Sequence, residues 1–399
     1  MRRTDVVRPT RETQARDDAT MVLPARAAAR YFRGWDYLEF WVGNARAFSG
    51  WLASAFGFEI VGYAGPETDC SDRASYVLEQ GGIRLVISAA LGPASPIADH
   101  VRAHGDGVRD LAIEVTSATA AYDAALARGA VGVSPPSIEE DRRGKVTRAT
   151  IALYGDTQHT FVERSGYLGG FLPGYVDRSG SGPASGSALV PPPAAGPPVG
   201  LDQIDHVVGN VYRGTLKRWV DFYRHTLGFE QLMHFDDDQI STQYSALMST
   251  VVWDGSRVVL PINEPADGPR KSQIQEYLEC YGSPGVQHIA LLTDDIVASV
   301  KALRQRGVRL LTVPDTYYDD ARRRLADLDL PWDALQELGI LVDRDQDGYL
   351  LQIFTENVSD RPTVFFEIIQ REGAKGFGAG NFKALFEAIE RAQAQRGHL

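Results

Sequence analysis

Cysteine is nearly absent. The 399-residue chain has only two, Cys70 and Cys280. They form no disulfide framework and no Cys-x-x-Cys site, a usage that fits a reducing, cytoplasmic setting. Long apolar runs are lacking too. None approaches the roughly 20 residues a membrane helix needs, so no membrane association is expected. The first residues carry arginines but no apolar core, so they do not read as a signal peptide. The sequon Asn357-Val358-Ser359 then carries no meaning. Basic residues do not predominate either: 41 Lys and Arg face 52 Asp and Glu, a net charge of −11. No basic stripe is left for nucleic acid. What remains is an ordinary globular balance, 44% hydrophobic and 23% charged, in a length suited to two or three domains.

Residues 1–28 are polar and aperiodic and are expected to form a disordered tail. A strand pattern opens at Tyr37-Leu38-Glu39-Phe40-Trp41-Val42, and a helix over about Ala45–Phe56 stops at Gly57. A second unit opens at Gly107–Val115, with a helix from Ala118 to about Arg128. The stretch 179–200 is rich in Gly, Ser, Ala and Pro and reads as a linker. After it the pattern starts again. Strand 203–208 leads to a helix of about 214–226 that stops at Gly228-Phe229, as the first half stops at Gly57-Phe58. Gly285-Val286-Gln287-His288-Ile289-Ala290 matches Gly107-Val108-Arg109-Asp110-Leu111-Ala112, and Thr160–Glu163 sits where Thr363–Glu367 sits later. The chain therefore reads as an N-terminal domain (29–178), a linker and a C-terminal domain (201–399). Each domain is built from two βαβββ modules. Such an α+β arrangement curls into a half-open barrel with a central cavity.

Polar side chains in apolar strands need partners, because an unpaired buried group costs about 1–3 kcal/mol. His288 lies in such a strand, His206 in Ile204–Val208 and Glu367 in Val364–Ile369. Alone, each reads as a core residue bonded to a neighbour. They are roughly 80 residues apart in each step, which excludes a local metal knuckle and requires three strands to converge. Two histidines and a carboxylate make a facial triad suited to redox-active iron(II) with open positions. In the first half Asp110 takes the place of His288, and Tyr37 or Glu39 that of His206, so no metal is expected there.

These residues sit in further matching stretches: Asp205–Val211, Leu260–Pro265, Lys271–Gln275, Pro284–Leu291, Leu350–Thr355, Glu367–Arg371 and Gly376–Phe382. Together they resemble the 4-hydroxyphenylpyruvate dioxygenase family, of vicinal-oxygen-chelate or glyoxalase-like fold. The resemblance covers nearly all of 201–390 and is weaker in the first half. It implies Fe(2+) held by His206, His288 and Glu367, and an aromatic 2-oxo acid that chelates the iron itself. Dioxygen attacks the keto carbon, CO2 leaves, the ring is hydroxylated and the side chain migrates to give homogentisate. It also implies a polar network of Ser249, Asn263, Gln273, Gln287 and Gln352. The ring would lie between Phe354 and Phe382, in a pocket shaped by Pro261, Asn381 and Phe386. Tyrosine catabolism, a cytoplasmic location and a homo-oligomer (dimer or tetramer) complete the expectation.

Period-two spacing puts Gln352 with Phe354, and Pro261 with Asn263, on shared faces. A mostly apolar cavity with a few amides suits a neutral phenol. A ferrous ion and one carboxylate leave a charge of about +1, which a keto-acid anion matches without an arginine clamp. A last helix, about 381–394, carries Phe382, Leu385, Phe386 and Ile389 on one face, with Asn381 as N-cap. The glycines 376, 378 and 380 before it would let it act as a lid. Asp343–Gly348 resembles the start of a calcium loop, but Phe354 stands at the twelfth position, so it reads as a hairpin turn. Three rival readings stay open. One is hydroxymandelate synthase, which lacks the Pro261 and Asn263 pair and has aliphatic and tyrosine side chains at Phe382 and Phe386. The others are an extradiol dioxygenase and a non-catalytic binding module. The remaining histidines read as surface or structural.

Overall fold

Alternating apolar residues build two mixed sheets. The computed structural model describes residues 31–177, 196–235 and 247–396. In the last helix the side chains of 379, 382, 383, 385, 386, 392 and 394–396 are outside the description. The expected tail, most of the linker and the side chains of Phe382 and Phe386 thus lie outside the described residues.

The first sheet contains β1 (Phe32–Trp41), β2 (Glu59–Ala64), β3 (Arg73–Gln80), β4 (Ile83–Ala90), β5 (Gly107–Val115), β6 (Gly132–Asp141), β7 (Gly144–Ala152), β8 (Gln158–Glu163) and β9 (Val176–Asp177). The second contains β10 (Leu201–Asn210), β11 (Glu230–Phe235), β12 (Leu247–Trp253), β13 (Val259–Pro265), β14 (Gly285–Thr293), β15 (Leu341–Arg344), β16 (Tyr349–Phe354) and β17 (Phe365–Glu372). Their orders are β6-β7-β8-β5-β1-β4-β3-β2-β9 and β11-β12-β13-β10-β14-β17-β16-β15. In each sheet an antiparallel central pair joins two four-strand modules, β1 with β5 and β10 with β14. Each central strand also runs parallel to the last strand of its own module. This is the α+β architecture of paired βαβββ modules, with β9 added at one edge.

The crossover helices repeat as well. In the first half, α1 (Ala45–Trp51), α2 (Pro96–His104) and α3 (Ala118–Leu126) pack on the sheet. α1 widens into a π-helical turn over Leu52–Phe56 and stops at Gly57, whose φ is 76°. In the second half, α4 (Leu216–Asp221) widens over Phe222–Leu227 and stops at Gly228, φ 81°. Left-handed backbone at a helix stop favours glycine, which has no Cβ to clash.

One contiguous cluster of buried residues spans both halves. Phe40 and Phe56 pack on Phe366 of β17, with ring centroids 6.3 and 5.3 Å apart. His159 of β8 is fully buried and donates from Nδ1 to the Leu111 carbonyl at 2.7 Å. Its Nε2 accepts from the Tyr223 hydroxyl of the second half at 3.1 Å. The last linker residues are ordered, not loose. Gly196 N–H bonds Ala53 O at 3.0 Å, and Val199 N–H bonds the buried Gln80 amide oxygen at 2.9 Å. Among the described residues no helix is long and apolar enough to cross a membrane.

Candidate metal centre and substrate pocket

Two bulges aim the site. In the β10–β14 pair, Ile204 faces Leu291 but His206 faces Ala290, so Asp205 is an extra residue. Val208 faces His288 but Gly209 faces Val286, so Gln287 is extra in its turn. A bulge lets adjacent side chains share a face, which strict alternation forbids. Each extra residue therefore reaches the histidine beside it. Asp205 Oδ2 lies 2.6 Å from His206 Nδ1, and Gln287 Oε1 lies 3.0 Å from His288 Nδ1. Donation from each Nδ1 turns the Nε2 lone pairs inward, the tautomer a metal ligand needs.

Both Nε2 atoms meet one carboxylate. His206 Nε2 is 3.3 Å and His288 Nε2 is 3.4 Å from Glu367 Oε2. All three side chains are buried, and their ligating atoms lie within 4.8 Å of one another. Glu367 comes from β17, where it pairs with Ala290 on one side and Phe354 on the other. Phe365 stacks on the His288 ring at 4.8 Å and fixes its plane.

The electrostatics fit a cation. Burial opposes charge on His206, but the Glu367 carboxylate and the Asp205 hydrogen bond outweigh it and raise the imidazole to about 9. Burial favours a neutral Glu367, yet the two imidazoles hold it at about 2. Burial pushes His288 below its ordinary value. Asp205 is also opposed by burial, but Arg371 and His206 hold it well below the carboxylate range. A divalent cation at this spot would compete with the proton on His206. The donor set, two imidazole nitrogens and one carboxylate on a concave face, fits iron(II) with positions left open.

Sequence comparison decides the family. Residues 203–353 match the Glyoxalase/Bleomycin resistance protein/Dioxygenase superfamily. A 4-hydroxyphenylpyruvate dioxygenase of Dictyostelium discoideum is 48% identical over 92% of this chain and 100% of its own length. The Xenopus tropicalis enzyme of the same name is 46% identical, covering 92% of this chain and 93% of its own. The chain belongs to the 4-hydroxyphenylpyruvate dioxygenase family. A solved triple mutant of 4-hydroxymandelate synthase from Streptomyces coelicolor has a TM-score of 0.79 at 34% identity, covering 91% of this chain and 99% of that one.

The polar residues expected from this dioxygenase family lie on the same concave side. Gln287 Nε2 donates to Gln273 Oε1 at 3.4 Å, so a chain of contacts runs from His288 through Gln287 to Gln273. Gln273 opens α5 (Gln273–Tyr281), capped by Ser272, whose hydroxyl accepts from Gln275 N–H at 3.2 Å. Ser249 and Asn263 are direct cross-strand partners, both buried, and Pro261 lies two residues before Asn263. Gln352 is 1% exposed, and its Oε1 has no hydrogen-bond partner among the described residues. Phe354 packs edge-on to His288 at 6.1 Å.

Two expectations need correction. Asn381 is not the cap of the last helix. After α6 (Ile296–Gln305), α7 (Asp315–Arg324) and α8 (Trp332–Leu338), helix α9 runs over Ala379–Arg396, so Asn381 sits inside its first turn. The Asp343 carboxylate takes the Gly380 N–H at 2.8 Å, which lets the helix begin earlier. Asn381 Oδ1 instead accepts from the Tyr317 hydroxyl at 2.6 Å. Next, register aligns Glu367 with Thr160, not with Glu163, since β8 pairs Asp110 with Gln158 and Ile113 with Phe161. His100 and His104, read as surface or structural, are structural. They form a second group of possible ligands with Asp156.

That second group reads as a hydrogen-bonded clamp. His100 Nδ1 is only 2.6 Å from Asp156 Oδ2, a hydrogen-bond length, and Arg109 Nη1 stands 3.9 Å from the same oxygen. His104 Nδ1 donates to the Tyr281 carbonyl at 2.7 Å, gripping the end of α5. The i, i+4 spacing of the two histidines on α2 was the available signal. The sequence reading also missed Asn210. It is fully buried on the His206 face of β10, and neither amide atom has a partner among the described residues. A buried amide left open on a concave face is a candidate substrate contact.

Proposed function

We propose that this protein converts 4-hydroxyphenylpyruvate and O2 to homogentisate and CO2. The observation that carries the reading is the meeting of His206, His288 and Glu367 on one concave face. It is supported by close relatives bearing that enzyme's name. His206, His288 and Glu367 would hold Fe(2+), which when bound supplies the activation of dioxygen that side chains alone cannot.

The chain's own residues then bind, orient and exclude water. The keto-acid end of the substrate would lie at the open side of the triad, where its negative charge is complementary. Gln273, Gln287, Gln352, Asn263 and Ser249 are assigned to orient the phenol hydroxyl and the keto acid, with Asn210 as an addition. Phe354, with Phe382, Phe386 and Asn381, would wall the ring, and Pro261 would shape the pocket floor. α9 would close the cavity against water. The same reading makes the protein a cytoplasmic homo-oligomer of tyrosine catabolism. Neither Cys70 nor Cys280 is in a disulfide, which agrees with a reducing compartment.

The deciding experiment is aerobic turnover of 4-hydroxyphenylpyruvate by the iron(II)-loaded protein, with product analysis. Homogentisate and CO2 in equal amounts are expected. Hydroxymandelate as the main product would replace this reading with benzylic hydroxylation. Turnover of catechols, or no iron(II) binding, would support the extradiol or binding-module alternatives.

A further inference from the structure

His206 is strapped to the loop that leads into α9. Arg371 donates through Nε and Nη2 to both oxygens of Asp205, at 2.7 and 2.8 Å. Asp205 holds His206 Nδ1. The third guanidinium nitrogen, Nη1, donates to the carbonyls of Gly376 at 2.6 Å and Ala374 at 3.3 Å. The guanidinium also lies over the Phe377 ring at 5.3 Å, and that ring meets the His206 ring edge-on at 5.1 Å. One side chain thus touches the orienting carboxylate, two loop carbonyls and the ring that packs on the histidine.

The first half has the same device without a histidine. Arg164 donates through Nε and Nη2 to Asp36, at 2.6 and 2.7 Å. Its Nη1 donates to the Phe171 carbonyl, and its guanidinium lies over the Phe171 ring at 5.3 Å. Phe171 meets Tyr37 edge-on at 5.3 Å, as Phe377 meets His206. Asp36 is the extra residue of a bulge beside Tyr37, as Asp205 is beside His206. The device therefore belongs to the fold and needs no metal to form. Only in the second half does it end on a potential ligand.

We propose that Arg371 is a positioning residue that couples metal ligation at His206 to the order of loop 374–377. A metal at Nε2 would fix the imidazole plane and strengthen donation from Nδ1 to Asp205. A fixed Asp205 holds the guanidinium fork still, because the bidentate pairing tolerates little rotation. The same guanidinium then offers Gly376 and Ala374 a stationary donor, and the fixed imidazole gives Phe377 a stationary wall. Coupling of this kind is reciprocal, so an ordered loop favours metal binding in equal measure. The loop reaches Gly378, which stands against Gln352, so the coupling extends to the substrate pocket.

The proposal rests on a divalent ion binding His206, His288 and Glu367, and not on which substrate is used. Its test is hydrogen exchange by mass spectrometry on the full chain, with and without cobalt(II), in wild type, Arg371→Lys and Arg164→Lys. Cobalt is expected to slow exchange at 374–377 several-fold in wild type and to leave 165–172 unchanged. Arg371→Lys should lose that slowing while its cobalt affinity falls by about tenfold or less. Arg164→Lys should loosen 165–172 in both states and keep the cobalt response at 374–377. Slowing that persists in Arg371→Lys overturns the proposal, as does a wild-type loop indifferent to bound cobalt. Failure of the wild type to bind cobalt would remove the metal-site reading and this inference with it. If Arg371→Lys does not fold by circular dichroism, Asp205→Asn is measured in its place with the same expected loss.

Discussion

Tyr37 occupies in the first sheet the position that His206 occupies in the second. Tyr37 pairs with Ala112 across β1 and β5, as His206 pairs with Ala290 across β10 and β14. The register carries the other two ligands along: Asp110 stands for His288 and Thr160 for Glu367. In place of a metal, these three close on themselves. Thr160 donates its hydroxyl to Asp110 Oδ2 at 2.5 Å and its N–H to Oδ1 at 3.0 Å, and the Tyr37 hydroxyl lies 3.4 Å from Oδ2. The geometry of a ligand set is thus present with the wrong side chains. Replacing Tyr37 and Asp110 by His and Thr160 by Glu together should create a second cobalt(II) site, weaker than the first by about 10–100-fold, because Arg109, the bulge residue in the place of Gln287, offers the new imidazole at 110 no acceptor. Calorimetry should count two sites per chain in place of one. A triple variant that folds and still binds one equivalent would show that backbone placement alone does not make the site.

Gln287 should matter to the metal more than to the fold. Its amide oxygen gives His288 Nδ1 an acceptor, and its amide nitrogen reaches Gln273. Gln287→Leu keeps bulk but leaves the imidazole without an orienting partner. Metal affinity should fall about tenfold or more, as outer-shell partners usually show. Thermal stability should change by less than that loss implies. Titration of the metal-free variant with cobalt(II) checks it, and wild-type affinity would deny the bulge residue its orienting role.

The convergence of His206, His288 and Glu367 was legible because three apolar strands each carried one group that needed a partner. The repeat was legible from matching strand starts and from the helix stops at Gly57 and Gly228. The bulges were not. An extra residue in a strand shows only against its neighbour's register, so Asp205 and Gln287 looked as if they faced away from the histidines. The same blindness misaligned Thr160–Glu163 with Glu367 and left Tyr37 and Glu39 undecided. Arg371 was visible only as part of a family stretch, since its partners come from β10 and from the following loop. Asn381 looked like a cap because asparagine favours caps, but a carboxylate distant in sequence, Asp343, took that role. His100 and His104 were read one at a time, although one helical turn separates them.

Acid stability should depend on His159. Burial pushes its imidazole from the ordinary 6.5 down to about 4, because the folded interior resists the charge. A base depressed on folding contributes stability that is present above pH 6.5 and is lost as pH falls toward 4. The shift corresponds to about 3 kcal/mol, an order-of-magnitude figure. His159→Gln can still donate to Leu111 O and accept from the Tyr223 hydroxyl, but it does not titrate. Urea unfolding at pH 7 and at pH 4.5 should show wild type losing more stability than the variant. Parallel losses in the two proteins would place the acid sensitivity elsewhere.

Gly378 is tightly constrained in the loop that leads into α9. Its φ is 72°, a left-handed conformation that costs a residue with a Cβ roughly 1 kcal/mol or more. A Cβ added there would also lie 2.6 Å from Gln352 Oε1 and 2.9 Å from its Nε2. Both atoms belong to a side chain buried on the pocket face, so the clash cannot be relieved toward solvent. Gly378→Ala must then either displace Gln352 or lift the loop and the start of α9. Each outcome disturbs how the substrate is held while leaving His206, His288 and Glu367 in place. The expected result is iron(II) affinity lowered by no more than several-fold, the size of the loop coupling, with kcat/KM for 4-hydroxyphenylpyruvate reduced by about 10–100-fold, the order seen for small displacements of a positioned group. Oxygen uptake measured against homogentisate formed should show more uncoupled consumption than wild type, because a lifted loop admits water. An alanine variant with unchanged kcat/KM and coupling would mean that neither Gln352 nor the loop contributes to holding the substrate.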